Sequence, residues 1–126
     1  ASDVYKRQLE DYLLRDGRKN TSAVVPSGTK DAKRAELVYE VKEKKEKQAL
    51  VKIRLLTGRH HQIRVQFAHA GLPLLGDARY GTEKSREYSA GKGITNICLC
   101  ACRLSFYHPA TGRRMDFQTE ELPWIS

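Results

Sequence analysis

The chain has no long hydrophobic run. Its apolar stretches, residues 23–26 and 72–75 among them, extend for six residues at most, against the roughly 20 that a helix needs to cross a bilayer. A membrane-spanning helix is thereby excluded, and no membrane partner is expected. Internal repeats, low-complexity tracts and obvious interdomain linkers are also missing, so the 126 residues make one domain at most. Cysteine is scarce. Cys98, Cys100 and Cys102 cannot all pair with one another, and no second cysteine knuckle accompanies them as a zinc site would require. On a strand the three point to the face that continues as Leu104 and Phe106, which makes them buried, reduced thiols of a cytoplasmic protein, with no metal expected.

What the chain does have is positive charge. Lys and Arg number 23 against 15 Asp and Glu, a formal net charge of +8. Such a balance favours a polyanionic partner, nucleic acid being the commonest, with a merely solvated basic surface as the alternative. At 40% hydrophobic residues the chain is too apolar for disorder. Residues 1–8 lack the apolar core of a signal peptide. They are also what one frame of a common sequencing-library transposon end would encode. They are therefore read as a non-native scar, with natural sequence from residue 9 and residues 9–126 forming the C-terminal piece of a longer protein.

From residue 9 the pattern resolves into short elements. Residues 9–14 suit a short helix closed by Asp16 and Gly17, and residues 20–31 read as irregular chain extended at Val24 and Val25. Residues 35–41 alternate, with Leu37, Tyr39 and Val41 on one face, as a strand does. The charged run 42–47 suits a solvated hairpin tip. Residues 49–56, with Val51, Ile53 and Leu55 opposite Lys52 and Arg54, form a second strand antiparallel to the first. After Gly58 the period becomes helical, placing Ile63, Phe67 and Ala70 toward the core and Gly71 as the stop. A glycine-bracketed turn at residues 76–81, a polar loop to Gly93, a long strand over residues 97–107 and a shorter one over 115–117 complete the reading.

The chemistry is concentrated around that helix start. Arg59, His60, His61 and Arg64 crowd its first two turns, where cations oppose the macrodipole and an anionic counterpart is expected. The segment Leu56-Thr57-Gly58-Arg59-x-His61-Gln62-Ile63-Arg64-Val65 resembles the signature of the RluA-type RNA pseudouridine synthases. Three linked segments resemble the family as well. They are Gly71-x-Pro73-Leu74-x-Gly76-Asp77-x-x-Tyr80-Gly81, then Leu99-x-Ala101-x-x-Leu104-x-Phe106-x-His108-Pro109, and finally Pro123-Trp124. Their order and spacing agree over nearly all of residues 9–124. Two departures stand out: His60 where the family has a small residue, and Cys100 where it commonly has histidine.

The resemblance implies an α+β fold, a mixed and mainly antiparallel sheet with a packed helix, forming the C-terminal portion of a pseudouridine synthase catalytic domain. It implies isomerisation of uridine in structured RNA, rRNA or tRNA, with no cofactor and a monomer when full length. The target base leaves its stack for the chemistry, so a basic surface and a base pocket are expected. Arg64 resembles the arginine that ion-pairs with the catalytic aspartate and keeps it ionised, and Leu104 the apolar residue beneath the base. Arg59, His61 and Arg79 are expected to meet RNA, His61 having a structural hydrogen-bonding role as its alternative. Asp77, in a turn between glycines, is read as bonding its own backbone and not as a nucleophile.

The family's aspartate lies in a His-Arg-Leu-Asp-type segment followed by a pocket tyrosine, and neither motif occurs in these 126 residues. Both lie upstream in the family, so this chain is expected to be a truncated synthase, inactive alone. A standalone RNA-binding module and a small basic ribonucleoprotein component are the alternatives.

Overall fold

The computed structural model describes residues 5–45 and 48–99, and the backbone of 103–107 and 114–118. Four strands, β1 (Tyr5–Asp16), β2 (Thr21–Val25), β3 (Lys33–Lys45) and β4 (Gln48–Leu55), form one antiparallel sheet in the order β2-β1-β3-β4. Two helices follow, α1 (Gln62–His69) and α2 (Glu83–Gly91), and then the hairpin β5 (Arg103–Tyr107) and β6 (Arg114–Gln118).

The period-two pattern of β3 explains the core. Ala35 and Leu37 are sealed from solvent and Tyr39 nearly so, all on the face that α1 covers. Phe67 of α1 lies against Leu37 and Tyr39, its ring centroid 5.1 Å from that of Tyr39 at an interplanar angle of 57°. Two residues earlier on α1, Val65 packs with Leu13 and Ala35, flanked by Val24 and Tyr80. On β4, Val51 and Ile53 join the Leu37–Phe67 cluster while Lys52 and Arg54 face solvent. The hairpin pairing expected of β3 and β4 is present, with a bulge between Val41 and Glu43; residues 46–47 of its tip lie outside the described residues.

Several expectations are corrected. Residues 9–14 are not helical but the middle of β1, with Leu9 and Leu13 turned inward; pairing on both sides, to β2 and β3, overrides the local pattern. Residues 5–8 continue the same strand, Gln8 facing Val38 across the ladder. The extended stretch at Val24 is a five-residue strand. The polar loop after Gly81 contains α2, started by a capping box in which Thr82 accepts from the Ser85 amide and the Ser85 hydroxyl accepts from the Thr82 amide. Residues 97–99 are not strand: the Cys98 amide bonds the Leu75 carbonyl and the Leu99 amide turns back to Ile97. Strand β5 is described over Arg103–Tyr107, and residues 100–102 lie outside the described residues. The inward face of α1 also differs, since Ala70 is exposed and Gln62 and Gln66 are buried with Val65 and Phe67. Gln66 donates from Nε2 to an Asp11 carboxylate oxygen at 3.0 Å and to the Ala35 carbonyl at 3.3 Å. Of the cysteines, Cys98 is free and half-buried; Cys100 and Cys102 lie outside the described residues.

Candidate active site

Residue Glu36 of β3 fixes the approach to α1. Its carbonyl accepts the amides of Leu56 and Thr57 and the Nε2 of Gln62, and its amide donates to the Thr57 hydroxyl at 2.9 Å. The Gln62 side-chain oxygen Oε1 in turn accepts the Thr57 hydroxyl at 2.8 Å and the Arg59 amide at 2.9 Å. Thr57 and Gln62 thus tie the loop to the sheet through partly buried bonds, each contributing about 1 kcal/mol net. The helix then starts abruptly at His61, which adopts φ 54°, ψ 24°. Left-handed backbone at a residue with a Cβ costs about 1–2 kcal/mol.

That abrupt start aims Arg64 at the glycine-bracketed turn. Asp77 accepts Nε of Arg64 on one carboxylate oxygen and Nη2 on the other, both at 3.0 Å. The Asp77 side chain is 1% exposed and that of Arg64 18%. Asp77 also accepts the Tyr80 amide at 3.1 Å, as its place in the turn suggested. Burial alone would raise the Asp77 carboxyl; the Arg64 guanidinium and the Tyr80 and Arg79 amides outweigh it and hold it below the ordinary carboxylate value. The same bond raises Arg64 further. Gly76 and Gly81 allow this close turn: a Cβ on Gly76, at φ 80°, would stand 2.0 Å from the Asn96 carbonyl oxygen, and one on Gly81 2.3 Å from that of Asp77.

Tyr80 forms the floor. Its ring lies under the Arg64 guanidinium, 4.9 Å from carbon to centroid. Its hydroxyl accepts the Ser22 amide at 3.0 Å and sits 2.6 Å from Nδ1 of His61. His60 stacks on His61 with centroids 3.8 Å apart and uses both ring nitrogens, on the Ser22 hydroxyl at 2.8 Å and the Asn20 side-chain oxygen at 3.0 Å. Burial lowers the pKa of His61, and the neighbouring charges of His60, Arg64 and Arg79 push the same way, against Asp77.

Beside these residues an open groove of about 600 Å³ is lined by His61, Arg64, Arg79, Asn20, Thr95 and Asn96, among others. Of the residues singled out in the sequence, His61, Arg64 and Arg79 therefore come together. Arg79 also donates to the Asn20 carbonyl at 2.9 Å. Arg59 lies outside the groove lining, its Nε donating to the Arg34 carbonyl at 2.9 Å. The Leu104 side chain is outside the described residues. Sequence reasoning did not find Tyr80, Ser22 and Asn20 as partners of this site. No local spacing signals them, because their contacts bridge 19 to 59 positions. Among the described residues there is no cluster of His, Cys, Asp and Glu that would hold a metal.

Comparison with known proteins gives the family. Residues 2–69 match the family model for RNA pseudouridylate synthase. The chain is 43% identical over 97 residues to an uncharacterised RNA pseudouridine synthase of Aquifex aeolicus, covering 73% of this chain and 30% of the relative. It is 39% identical over 112 residues to the ribosomal large subunit pseudouridine synthase C of Yersinia pestis, covering 89% and 35%. It thus spans about a third of the length of these relatives. The fold is similar to that of the human RNA pseudouridylate synthase domain containing 1, with a TM-score of 0.76 at 23% identity over 96% of this chain and 50% of that one. With its matches to family model and relatives alike, the chain belongs to the RluA-type RNA pseudouridine synthases.

Proposed function

We propose that this chain is the C-terminal part of a synthase catalytic domain that converts uridine to pseudouridine in structured RNA, and that it is inactive alone. In that reaction the bond from the ribose carbon to N1 breaks, the uracil turns, and the same carbon bonds C5. A hydrogen leaves C5 and N1 gains one, so the change is an isomerisation. Ribosomal RNA is the favoured substrate class, since relatives matched over most of this chain carry large-subunit names; tRNA is the alternative.

The observation that carries the reading is the guanidinium of Arg64. Among the described residues Asp77 occupies only its Nε and Nη2 edge, and the group borders an open groove beside His61 and Arg79. The remaining N–H groups suit a second carboxylate, the aspartate supplied by the part of the synthase outside this chain, and a pair of this kind keeps that aspartate ionised and oriented. Arg64 is on this reading a positioning residue. Arg79 and His61 meet the RNA in the groove, Arg59 meets phosphate outside it, and Leu104 supports the base.

A hybrid synthase tests this: residues 9–126 replace the matching part of the Yersinia pestis enzyme, and pseudouridine is mapped in a large-subunit rRNA transcript by carbodiimide-dependent primer-extension stops. The hybrid is expected to modify the transcript and the isolated chain to leave it unmodified. A folded but inactive hybrid contradicts the reading, and modification by the chain alone contradicts its inactivity.

A further inference from the structure

The two stacked imidazoles at the start of α1 differ in one respect. His60 spends both ring nitrogens inside the protein, on Ser22 and Asn20. His61 spends only Nδ1, on the Tyr80 hydroxyl; its Nε2 has no hydrogen-bond partner among the described residues, and the residue lines the groove. We infer that His61 works as a neutral imidazole whose proton is fixed on Nε2 by Tyr80, and that this N–H donates to an oxygen of the RNA seated in the groove. The RNA half of the inference rests on the synthase reading above; the tautomer half does not.

The tautomer follows from counting protons. The Ser22 amide is a donor and nothing else, so the Tyr80 oxygen accepts there. The phenol then has one proton to give, and the group 2.6 Å away is Nδ1 of His61. If Nδ1 carried the proton instead, the Tyr80 hydroxyl would have no acceptor among the described residues, and a bare Nε2 lone pair would face the groove. A doubly protonated ring is opposed by its surroundings: His60 is stacked on it and Arg64 and Arg79 stand nearby, with Asp77 as the single carboxylate acting on it among the described residues and already engaged by Arg64. Tyr80 edges onto the His61 ring at 5.5 Å and 79°, so packing holds the same arrangement. The left-handed backbone at His61 is a further sign that the residue is held where it is at a cost.

The partner of an N–H in a basic groove is an oxygen acceptor. A non-bridging phosphate oxygen and a uracil carbonyl share this chemistry. Tyr80 touches no RNA in this account. It is a positioning residue that serves both Arg64, through its ring, and His61, through its hydroxyl.

The test uses the hybrid synthase labelled with 15N-histidine, His61 being assigned by its loss in H61Q. At neutral pH Nδ1 of His61 is expected in the pyridine-type range and Nε2 in the pyrrole-type range, with both moving toward the tautomer average in Y80F. A protonated Nδ1 in the parent overturns the inference. RNA affinity is read separately: H61F, which keeps the ring shape without the N–H, is expected to weaken transcript binding roughly 3- to 10-fold, and H61Q, which restores a donor at similar reach, to recover most of it. Equal affinities for the Phe and Gln variants overturn the RNA contact. A methylphosphonate beside the target nucleotide and a thiocarbonyl in the target uracil distinguish the sources. The substitution that abolishes the H61F penalty names the acceptor, and a penalty that survives both contradicts the contact. If the nitrogen pattern holds while the hybrid forms no pseudouridine, the synthase reading fails and the tautomer stands.

Discussion

Replacing Asp77 with Asn isolates the clamp on Arg64. The carboxylate accepts Nε and Nη2 of Arg64, and one of its oxygens also takes the Tyr80 amide. Asn keeps the shape and the oxygen facing Nη2 and Tyr80, but turns an NH₂ toward Nε. One charge-assisted bond is lost and two donors then face each other in a site where the side chain is 1% exposed. A hydrogen bond to a charged group contributes about 1.5–3 kcal/mol, and stripping one partner from a buried pair costs about 3–5 kcal/mol. Since Asn retains part of the network, D77N is expected to lose about 2–3 kcal/mol. The effect carries a pH signature. The folded Asp77 is held below its unfolded value, so its contribution is complete above the unfolded pKa and is lost as pH falls through the folded one. Urea denaturation of hybrid and variant is expected to show the full gap at pH 7 and 5, narrowing below about pH 4. A variant within about 0.5 kcal/mol of the parent at pH 7, or a gap that does not narrow in acid, refutes the argument.

Three further outcomes follow from the same structure. G76A forces a Cβ against the Asn96 carbonyl at a positive φ, and urea unfolding is expected to show a loss of at least about 2 kcal/mol; near-parental stability contradicts the close approach. F67A removes the ring that packs on Leu37 and Tyr39 and is expected to cost about 3–5 kcal/mol in the same assay, unless the cluster collapses around the gap. The isolated chain leaves β2 and β4 at the edges of its larger sheet and about half of Leu55, Leu56 and Leu72 exposed. It is expected to self-associate in light scattering, and a monomer with a sharp cooperative melt contradicts that.

The β3–β4 hairpin and helix α1 were legible because each has its own period: Leu37 and Tyr39 alternate along β3, and Val65 to Gly71 end in a clear stop. Strand β1 was not, because Leu9, Leu13 and Leu14 fit a helical spacing as well as a strand, and only pairing with β2 and β3 decides between them. Helix α2 was hidden by composition. Its cap uses Ser85 in place of the usual Glu or Gln, and its residues are polar on nearly every side. In the site, Arg64 and His61 were singled out from the linked motifs and Arg79 as a basic residue near them, and the structure brings the three to one groove; Asp77, read as bonding its own turn, accepts the Tyr80 amide. Its grip on Arg64, and the Ser22–Tyr80–His61 chain, depend on β2, α1 and the turn at 76–81 meeting in space. That is a property of the tertiary fold, with no local spacing to announce it.

The central claim is that this chain supplies Arg64 to an aspartate held elsewhere in the synthase. Single-turnover conversion of a large-subunit rRNA transcript by the hybrid and by its R64M variant, with transcript affinity measured in parallel, tests it most directly. The account predicts a rate loss of about 100-fold or more with affinity nearly unchanged, because the interaction lost acts on the reacting group and not on RNA binding. An R64M hybrid that converts uridine at the parental rate, or one that loses affinity and rate in equal measure, would contradict it.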